Sequence, residues 1–213
     1  MNIFFDLDGT LIDARMRLYS LFCDLTGQTI LDFNNYWELK RSMHDQRWIL
    51  CNILKYSDLQ ASDFKKDWLE NIEKEKYLNF DNLFPFTISS LEHFKELGFS
   101  LYIITARQNK AATLKQLLTI GLTDYFTDCF IASSPKTKAE EIRLQGITLT
   151  ENDFIVGDTP EDVQTAKSLN IKSISVLSGF YNMAALLDSN PDYIAGDISK
   201  IQDYIKSMNT HKN

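Results

Sequence analysis

Short apolar runs that end at polar or glycine-containing loops recur along the chain. The first run covers residues 2–5 and ends at an acidic turn that contains Gly9. Runs of this length, rich in Ile, Val and Phe, are typical of strands buried inside a sheet. Four later runs share this character and predict four more strands, over residues 101–104, 129–132, 154–156 and 174–177.

Between these runs, apolar residues recur at helical spacing. The spacing predicts helices over residues 88–97, 111–120, 139–144 and 161–169. Gly98 and Gly121 end the first two, whereas Thr159 and Pro160 supply the cap and first turn of the last. Alternating strands and helices predict an α/β fold with a doubly wound, Rossmann-like parallel sheet, whose ligands bind at the carboxyl ends of the strands.

One interval does not fit this alternation. Roughly 95 residues separate the first two predicted strands, where a simple crossover needs about 30. From residue 14 to 83 the sequence has a single glycine, Gly27, no proline, and apolar residues at helical spacing. We therefore expect two domains: an α/β core formed by residues 1–13 and 84–213, and a small helical cap domain formed by residues 14–83.

Composition and charge reduce the range of possible functions. The 213 residues are 44% hydrophobic, as in an ordinary globular protein, and carry a net charge of −7, which disfavours binding to nucleic acid. The three cysteines have no CxxC spacing, which favours a cytoplasmic location. The sequence contains neither a secretion signal nor an apolar run long enough to cross a bilayer, so we expect a soluble protein without a membrane partner. Monomer and homodimer both remain open.

The most informative polar residues follow the first strand. Asp6 and Asp8 stand two positions apart, and side chains at that spacing point to the same side of an extended chain. Two neighbouring carboxylates repel each other unless a cation lies between them, and an all-oxygen site favours Mg²⁺. Gly9 then permits a turn that a side chain would obstruct. A plain polar turn is the alternative interpretation of this pair.

Polar residues also follow three later strands. The Thr105 hydroxyl and the small backbone of Ala106 could donate hydrogen bonds to a phosphoryl oxygen, although a threonine here could simply cap a helix. An ammonium in the segment from Ser133 to Lys138 could neutralise phosphoryl charge, although surface lysines are common. Asp158 adds a further carboxylate, although it could instead cap the following helix.

Together, the DxDGT motif at residues 6–10, the later threonine and lysine, and GDTPED at residues 157–162 form a recognisable order. In this order they resemble the haloacid dehalogenase-like (HAD) hydrolase superfamily, in its phosphoglycolate phosphatase-like and β-phosphoglucomutase-like branch. The resemblance covers most of the chain apart from the inserted cap. It implies an HAD-like α/β core and a helical cap between the first two motifs.

The resemblance also implies catalytic roles. Asp6 would be the nucleophile that forms an aspartyl-phosphate, and Asp8 would be the general acid and base. Thr105 and the Ala106 amide would hold the phosphoryl group. The motif lysine would be Lys138 or Lys136; an apolar residue four positions after Lys138 favours Lys138.

The implied cofactor is Mg²⁺. The Asp6 carboxylate, the Asp8 backbone carbonyl and Asp158 would bind it, and Asp162 would support the metal site through one of the groups around these ligands or through water. Expected substrate-binding residues come from the core loops and from basic positions of the cap: Gly9, Thr10, Ala106, Arg107, Arg15, Arg41 and Arg47.

The function implied by the resemblance is a Mg²⁺-dependent phosphatase that hydrolyses a small phosphorylated metabolite. Asp8 favours phosphoryl transfer over dehalogenation, because the family's dehalogenases lack this second aspartate and a leaving halide needs no proton. A phosphomutase with the same nucleophile is the alternative. A binding or regulatory module without catalysis is a further alternative, disfavoured because every expected catalytic residue is present.

Overall fold

A computed structural model describes residues 1–27, 30–42, 44–133 and 136–205. The chain forms two compact units, of which the larger comprises Met1–Asp13 and Leu83–Asn213 and the smaller comprises Ala14–Asn82. The expected boundary differs by one residue, because Leu83 packs against the core of the larger unit.

Strands of the described residues are, in chain order, β1 (Asn2–Phe5), β2 (Ile12–Asp13), β3 (Asn82–Leu83), β4 (Ser100–Thr105), β5 (Asp128–Ile131), β6 (Phe154–Gly157), β7 (Lys172–Val176) and β8 (Tyr193–Ala195). Within the described residues, six of them form one parallel sheet in the order β5-β4-β1-β6-β7-β8, and β2 pairs with β3. The five predicted strands are present and the predicted fold class is confirmed. The sequence pattern missed β8, a three-residue strand at the edge of the sheet.

Helices of the described residues are, in chain order, α1 (Arg15–Thr26), α2 (Phe33–Arg41), α3 (Gln46–Trp48), α4 (Asp58–Asn71), α5 (Glu75–Leu78), α6 (Thr87–Glu96), α7 (Lys110–Thr119), α8 (Lys138–Leu144), α9 (Pro160–Leu169) and α10 (Met183–Asp188). A π-helical segment, Ile49–Ile53, continues α3. Within the described part of the chain, each helix is too short or too polar to cross a membrane.

The core of the larger unit lies on both faces of the sheet. Successive residues of a strand point to opposite faces, so Phe5 packs with Phe94 of α6 on one face while Phe4 packs with Ile142 of α8 on the other. All four side chains are fully buried. Apolar helices on both faces explain why β1 is a continuous apolar run rather than an alternating one.

The sheet register brings the predicted site residues to one edge. Phe5 of β1 lies opposite Ile103 of β4 and Val156 of β6. Asp6 therefore leaves the sheet close to the level at which Thr105 ends β4 and Asp158 follows β6. Three segments that are distant in sequence thus deliver polar side chains to the same carboxyl edge of the sheet.

The smaller unit is helical, and its own aromatic core holds it together. Phe22 of α1, Tyr36 of α2 and Phe64 of α4 are buried together, with the Phe22 and Tyr36 ring centroids 4.7 Å apart. A buried ion pair between Arg17 and Asp81, at 3.2 Å, joins the first and last parts of this unit. Since burying a charge without a partner is costly, this pair accounts for the buried guanidinium of Arg17.

Candidate active site

Asp6 begins a tight loop after β1. Its N–H donates to the carbonyl of Val156 at 2.8 Å, which extends the pairing of β1 with β6 by one residue. The Leu7 carbonyl then accepts from the amides of Leu11 and Ile12, at 3.0 and 3.1 Å, and closes the loop. Gly9 has φ +87°, a conformation that residues with a Cβ rarely adopt. The DxDGT segment is therefore a rigid turn at the sheet edge.

The Lys138 ammonium lies between two carboxylates. Its Nζ donates to Asp6 Oδ1 at 2.7 Å and to Asp162 Oδ1 at 2.6 Å. The side chain is 3% exposed, so both contacts are made away from water. A capping box between Thr137 and Glu140 starts α8 at Lys138, which aims this first helical residue at Asp6.

Lys136 occupies a different environment. Its side chain is 54% exposed and lies 3.7 Å from Glu141. The structure therefore brings Lys138, and not Lys136, to Asp6. Ser134 and Pro135, which belong to the same predicted segment, lie outside the described residues.

Asp158 is fully buried, and both of its carboxylate oxygens accept hydrogen bonds. Oδ1 accepts from the Thr10 hydroxyl at 3.2 Å, and Oδ2 accepts from the amide of Phe180 at 2.7 Å. Asp162 is oriented by its own helix, because its Oδ2 accepts from the backbone and hydroxyl of Thr159 at 3.0 and 2.7 Å. Each carboxylate is thus fixed in direction by donors from its surroundings.

Asp6, Asp158 and Asp162 form one buried acidic cluster, whose nearest carboxylate oxygens lie within 4.8 Å of one another. Burial raises the pKa of Asp6 to about 7; Lys138 opposes this shift, and the neighbouring charge of Asp162 adds to it. Burial, together with the charges of Asp6 and Asp162, raises the pKa of Asp158 well above its ordinary value. Three carboxylates around one ammonium leave an excess of negative charge, which favours the binding of a cation.

This cluster fits a hard divalent cation by its chemistry. Its donors are carboxylate oxygens, which Mg²⁺ prefers, and histidine and cysteine take no part in it. The backbone leaves room beside the carboxylates, since a Cβ on Gly9 would lie 2.5 Å from Asp158 Oδ2 and a Cβ on Gly179 only 2.0 Å from the same atom. Both positions therefore require glycine for Asp158 to keep its position.

Asp8 has a different partner from Asp6. Arg107 Nη2 donates to Asp8 Oδ1 at 2.6 Å and Arg107 Nε donates to Asp8 Oδ2 at 3.1 Å. The third nitrogen, Nη1, donates to Gln116 Oε1 of α7 at 2.5 Å. The Arg107 side chain is 3% exposed and that of Asp8 22% exposed. Arg107, predicted as a substrate ligand, thus holds the Asp8 carboxylate in place through both oxygens.

The remaining core residues predicted for the site lie at the same edge. Thr105 is the last residue of β4 and is buried, whereas Ala106 beyond it is exposed and its backbone can be approached. Thr10 is fully buried and its hydroxyl is used by Asp158. The carbonyl of Gly9 accepts from the hydroxyl of Ser178 at 2.8 Å.

The three basic residues predicted for substrate binding in the cap belong to the smaller unit. The Arg15 guanidinium lies 5.8 Å from the ring centroid of Trp37, and Arg41 is the last residue of α2. Arg47 pairs with Asp58 at 2.5 Å, with both side chains more than half exposed. An exposed pair of this kind contributes little to stability, so Arg47 is available to other partners.

The family model described as haloacid dehalogenase-like hydrolase matches residues 3–176, which include the Asp6 turn, Thr105, Lys138 and the Asp158–Asp162 segment. The chain belongs to the haloacid dehalogenase-like hydrolase family. The predicted resemblance is thereby confirmed.

Individual relatives of this hydrolase match over nearly their whole length. It is 25% identical to the pyrophosphatase PpaX of Oceanobacillus iheyensis over 206 residues, which cover 94% of each chain. It is 26% identical to the phosphoglycolate phosphatase of Aquifex aeolicus, over 98% of this chain and 97% of that one. A haloacid dehalogenase-like hydrolase from Streptococcus pneumoniae has a similar structure, with 26% identity, a TM-score of 0.76, and coverage of 95% and 97%.

Sequence reasoning missed several residues that shape the site of this hydrolase. Phe180 supplies its amide to Asp158, Gly179 leaves space for that carboxylate, and Gln116 holds Arg107. The first two follow β7, which lies next to β6 in the sheet, so the rule that ligands meet at the ends of neighbouring strands could have indicated them. Gln116 carries no comparable signal, because its role depends on a contact across the fold.

Proposed function

We propose that this hydrolase is a Mg²⁺-dependent phosphatase that cleaves a small phosphorylated metabolite through an aspartyl-phosphate on Asp6. The observation that carries the proposal is the environment of Asp6, a buried carboxylate with Lys138 on one oxygen and two further carboxylates close by. The names of the relatives, pyrophosphatase and phosphoglycolate phosphatase, support the same class of reaction.

Metal binding is assigned to the acidic cluster. The carboxylates of Asp6 and Asp158 and the backbone carbonyl of Asp8 would hold Mg²⁺, and Asp162 would orient Lys138 and support the metal site. When bound, Mg²⁺ would offset the repulsion between the anionic nucleophile and the anionic substrate. The pKa values of Asp6 and Asp158 are raised mainly by burial and further by the charges of neighbouring carboxylates, and a bound cation would favour the ionised form of both groups.

In the first half of the reaction, an oxygen of Asp6 attacks phosphorus and the bond from phosphorus to the ester oxygen breaks. Asp8 donates its proton to that leaving oxygen, so the product departs as an alcohol. Lys138, Thr105 and the Ala106 amide stabilise the charge of the phosphoryl oxygens.

In the second half, Asp8 takes a proton from water and the water oxygen attacks the same phosphorus. The bond from phosphorus to Asp6 breaks, inorganic phosphate leaves, and the Asp6 carboxylate is restored. Arg107 and Gln116 hold the Asp8 carboxylate in position for both proton transfers.

We assign the smaller helical unit to the cap, with Arg15, Arg41 and Arg47 as ligands for the substrate's non-reacting end.

We also propose a cytoplasmic location. Cys23, Cys51 and Cys129 all lie among the described residues and are free thiols, as expected in a reducing compartment. Burial raises the pKa of the Cys129 thiol to about 12, which keeps it protonated and unreactive.

Phosphate release from a substrate panel tests the proposed function. The panel contains phosphoglycolate, pyrophosphate, sugar phosphates, nucleotides and p-nitrophenyl phosphate, each with Mg²⁺ or with chelator. Release that requires Mg²⁺ and disappears in a folded Asp6→Asn variant is the expected result. Full activity of Asp6→Asn would overturn the mechanism, whereas conversion of a sugar phosphate to its isomer, dependent on a bisphosphate, would identify a phosphomutase.

A further inference from the structure

A cavity of about 600 Å³ lies within the smaller helical unit, and all of its lining residues belong to that unit. Helices α1, α2, α3 and α4 each contribute to its walls. The volume is in the range of pockets that take small molecules, which run to about 300–1,000 Å³. No catalytic step of the proposed phosphatase mechanism uses the lining residues, of which Arg47 is also proposed above as a ligand for the substrate.

One wall of the cavity is apolar and aromatic. Leu50 and Phe64 are buried, and the Phe64 ring stacks on Trp68 with centroids 5.7 Å apart. Leu18 of α1 completes this wall. Such a surface favours a ligand with an apolar body, because contact removes apolar area from water on both sides.

Lys40 supplies a cation to the same cavity. It lies in the last turn of α2 and is partly buried, and its ammonium has no hydrogen bond or ion pair with another described residue. Burial lowers the pKa of its ammonium, and the nearby charge of Asp45 only partly opposes this. A partly desolvated ammonium without a hydrogen-bonded partner is costly, and an anion in the cavity would offset that cost.

Gln46 supplies a second donor. The hydroxyl of buried Tyr36 donates to Gln46 Oε1 at 3.1 Å, and this contact fixes the orientation of the amide. Gln46 Nε2 is buried, with no hydrogen-bond partner among the described residues. A buried donor left unsatisfied is costly, so an acceptor that enters the cavity and reaches this amide gains a favourable contact.

The other charges around the cavity leave it positive. Lys65 of α4 lines it without an ion pair to any described residue, while Arg47 is paired with Asp58. Asp45 is the acidic residue of the described lining, and its Oδ1 accepts from the amide of Trp48 at 2.6 Å to cap α3. A positive cavity in a protein of net charge −7 is a local feature that selects anions.

We propose that this cavity binds a small organic anion. Its carboxylate or phosphate accepts hydrogen bonds from Lys40 and Gln46, and its apolar body packs against Phe64 and Trp68. The chemistry is the same whether the anion is a separate small molecule or the non-reacting end of the substrate. The binding itself does not depend on the proposed phosphatase function.

Titration of the full chain with phenylphosphonate and phenylacetate, followed by NMR, tests the proposal. Both probes join an anion to an apolar ring, and neither can be hydrolysed. Chelator is present throughout, so that phosphonate binding through a metal ion does not contribute. We expect saturable shifts of the Gln46 side-chain amide and the Trp68 indole, and much weaker shifts with neutral benzyl alcohol.

Variants decide whether Lys40 and Gln46 form the site. Lys40→Met removes the charge but keeps the aliphatic stem, and should weaken binding about tenfold or more, since hydrogen bonds to charged groups are worth roughly 1.5–3 kcal/mol. Lys66→Met, at an exposed residue of α4 outside the lining, is the matched control and should bind as the parent does. Gln46→Leu supplies an independent loss of affinity if Lys40→Met does not fold.

Inhibition kinetics then separate the two sources of the anion. Competitive inhibition of phosphate release by phenylacetate identifies the substrate's non-reacting end, and noncompetitive inhibition or activation identifies a separate small molecule. Unchanged affinity in both folded variants, or saturable shifts confined to other residues, would overturn the proposal. A protein without phosphatase activity that still binds the probes through Lys40 would overturn the proposed function and leave this site standing.

Discussion

Arg107 donates hydrogen bonds to both carboxylate oxygens of Asp8, at 2.6 and 3.1 Å, although the two residues are 99 positions apart in the chain. Two parallel hydrogen bonds between guanidinium and carboxylate fix direction as well as distance. Gln116 in turn fixes the guanidinium. The residue proposed to move protons therefore has its orientation set by two side chains that need not touch the substrate.

Removal of the Arg107 side chain should lower kcat more than it raises KM. In Arg107→Met, Asp8 loses both contacts, and misplacement of a catalytic group by about 1 Å costs roughly a hundredfold in rate. The loss should be larger for an alkyl phosphate than for p-nitrophenyl phosphate, whose leaving group departs without a proton. Steady-state kinetics on both substrates provide the measurement.

Arg107→Lys is the matched control for charge. It keeps the cation but cannot make the two parallel contacts, so its kcat should stay close to that of Arg107→Met. A rise in KM with unchanged kcat in both variants would instead assign Arg107 to substrate binding.

Lys138 and Lys136 make a paired test of the acidic cluster. Lys138→Met leaves Asp6 and Asp162 buried without their cation, and loss of one partner of a buried ion pair costs about 3–5 kcal/mol. When chelator is present, the free energy of unfolding of Lys138→Met should be lower than that of the parent by this amount. In the activity assay, phosphate release by this variant should be lost. Lys136→Met, at an exposed position, should match the parent in both. Equal effects at the two positions would contradict the site described above.

Fold and site differ in how far the sequence predicts them. Apolar runs such as residues 2–5 predict strands because a strand between two helical layers must be apolar on both faces, and the order of strands and loops then predicts the meeting of Asp6 with Asp158. The bidentate pair of Arg107 with Asp8 joins the loops that follow the neighbouring strands β4 and β1, and no local sequence pattern shows that these two side chains pair with each other. The position of Phe180 after β7 indicates that it lies near the site, but its role as a donor to Asp158 is not predictable, since a backbone amide carries no residue-specific signal.

Acidic pH should weaken Mg²⁺ binding. The pKa of Asp6 is raised from 3.8 to about 7 in the folded chain, so between these values the folded state holds a proton that the unfolded state has released. Without metal, this group therefore destabilises the fold progressively as the pH rises from about 4 to 7. At low pH, Mg²⁺ must displace this proton from Asp6 in order to bind. At high pH the Asp6 carboxylate carries no proton, and binding has no such cost.

Thermal unfolding with and without Mg²⁺ provides the measurement. The increase in Tm caused by Mg²⁺ should be larger at about pH 8 than at about pH 5, because at the higher pH a proton no longer competes with Mg²⁺ for Asp6. Asp158→Asn should reduce the increase at both pH values. An increase in Tm that does not change with pH would contradict the assignment of the cation to these carboxylates.

Gly179 should tolerate no side chain. A Cβ there would lie 2.0 Å from Asp158 Oδ2, so Gly179→Ala should displace that carboxylate and cost about 1–3 kcal/mol of stability. The Mg²⁺-dependent rise in Tm should shrink as well. Gly196→Ala is the matched control, since a Cβ at that position would meet no atom of the surrounding described residues within 4 Å and its stability should be unchanged. Comparable losses in both variants would show that the effect is not local to Asp158.

Detection of the phosphoryl group on Asp6 tests the central claim most directly. An Asp8→Asn variant with p-nitrophenyl phosphate and Mg²⁺ should form the aspartyl-phosphate but hydrolyse it slowly, because no base activates the water. Acid quenching and peptide mass spectrometry should then find one added phosphoryl group on the peptide that contains Asp6, and none when Asp6→Asn is added to the same variant. A phosphoryl group on another residue, or undiminished phosphate release by Asp6→Asn, would contradict the account.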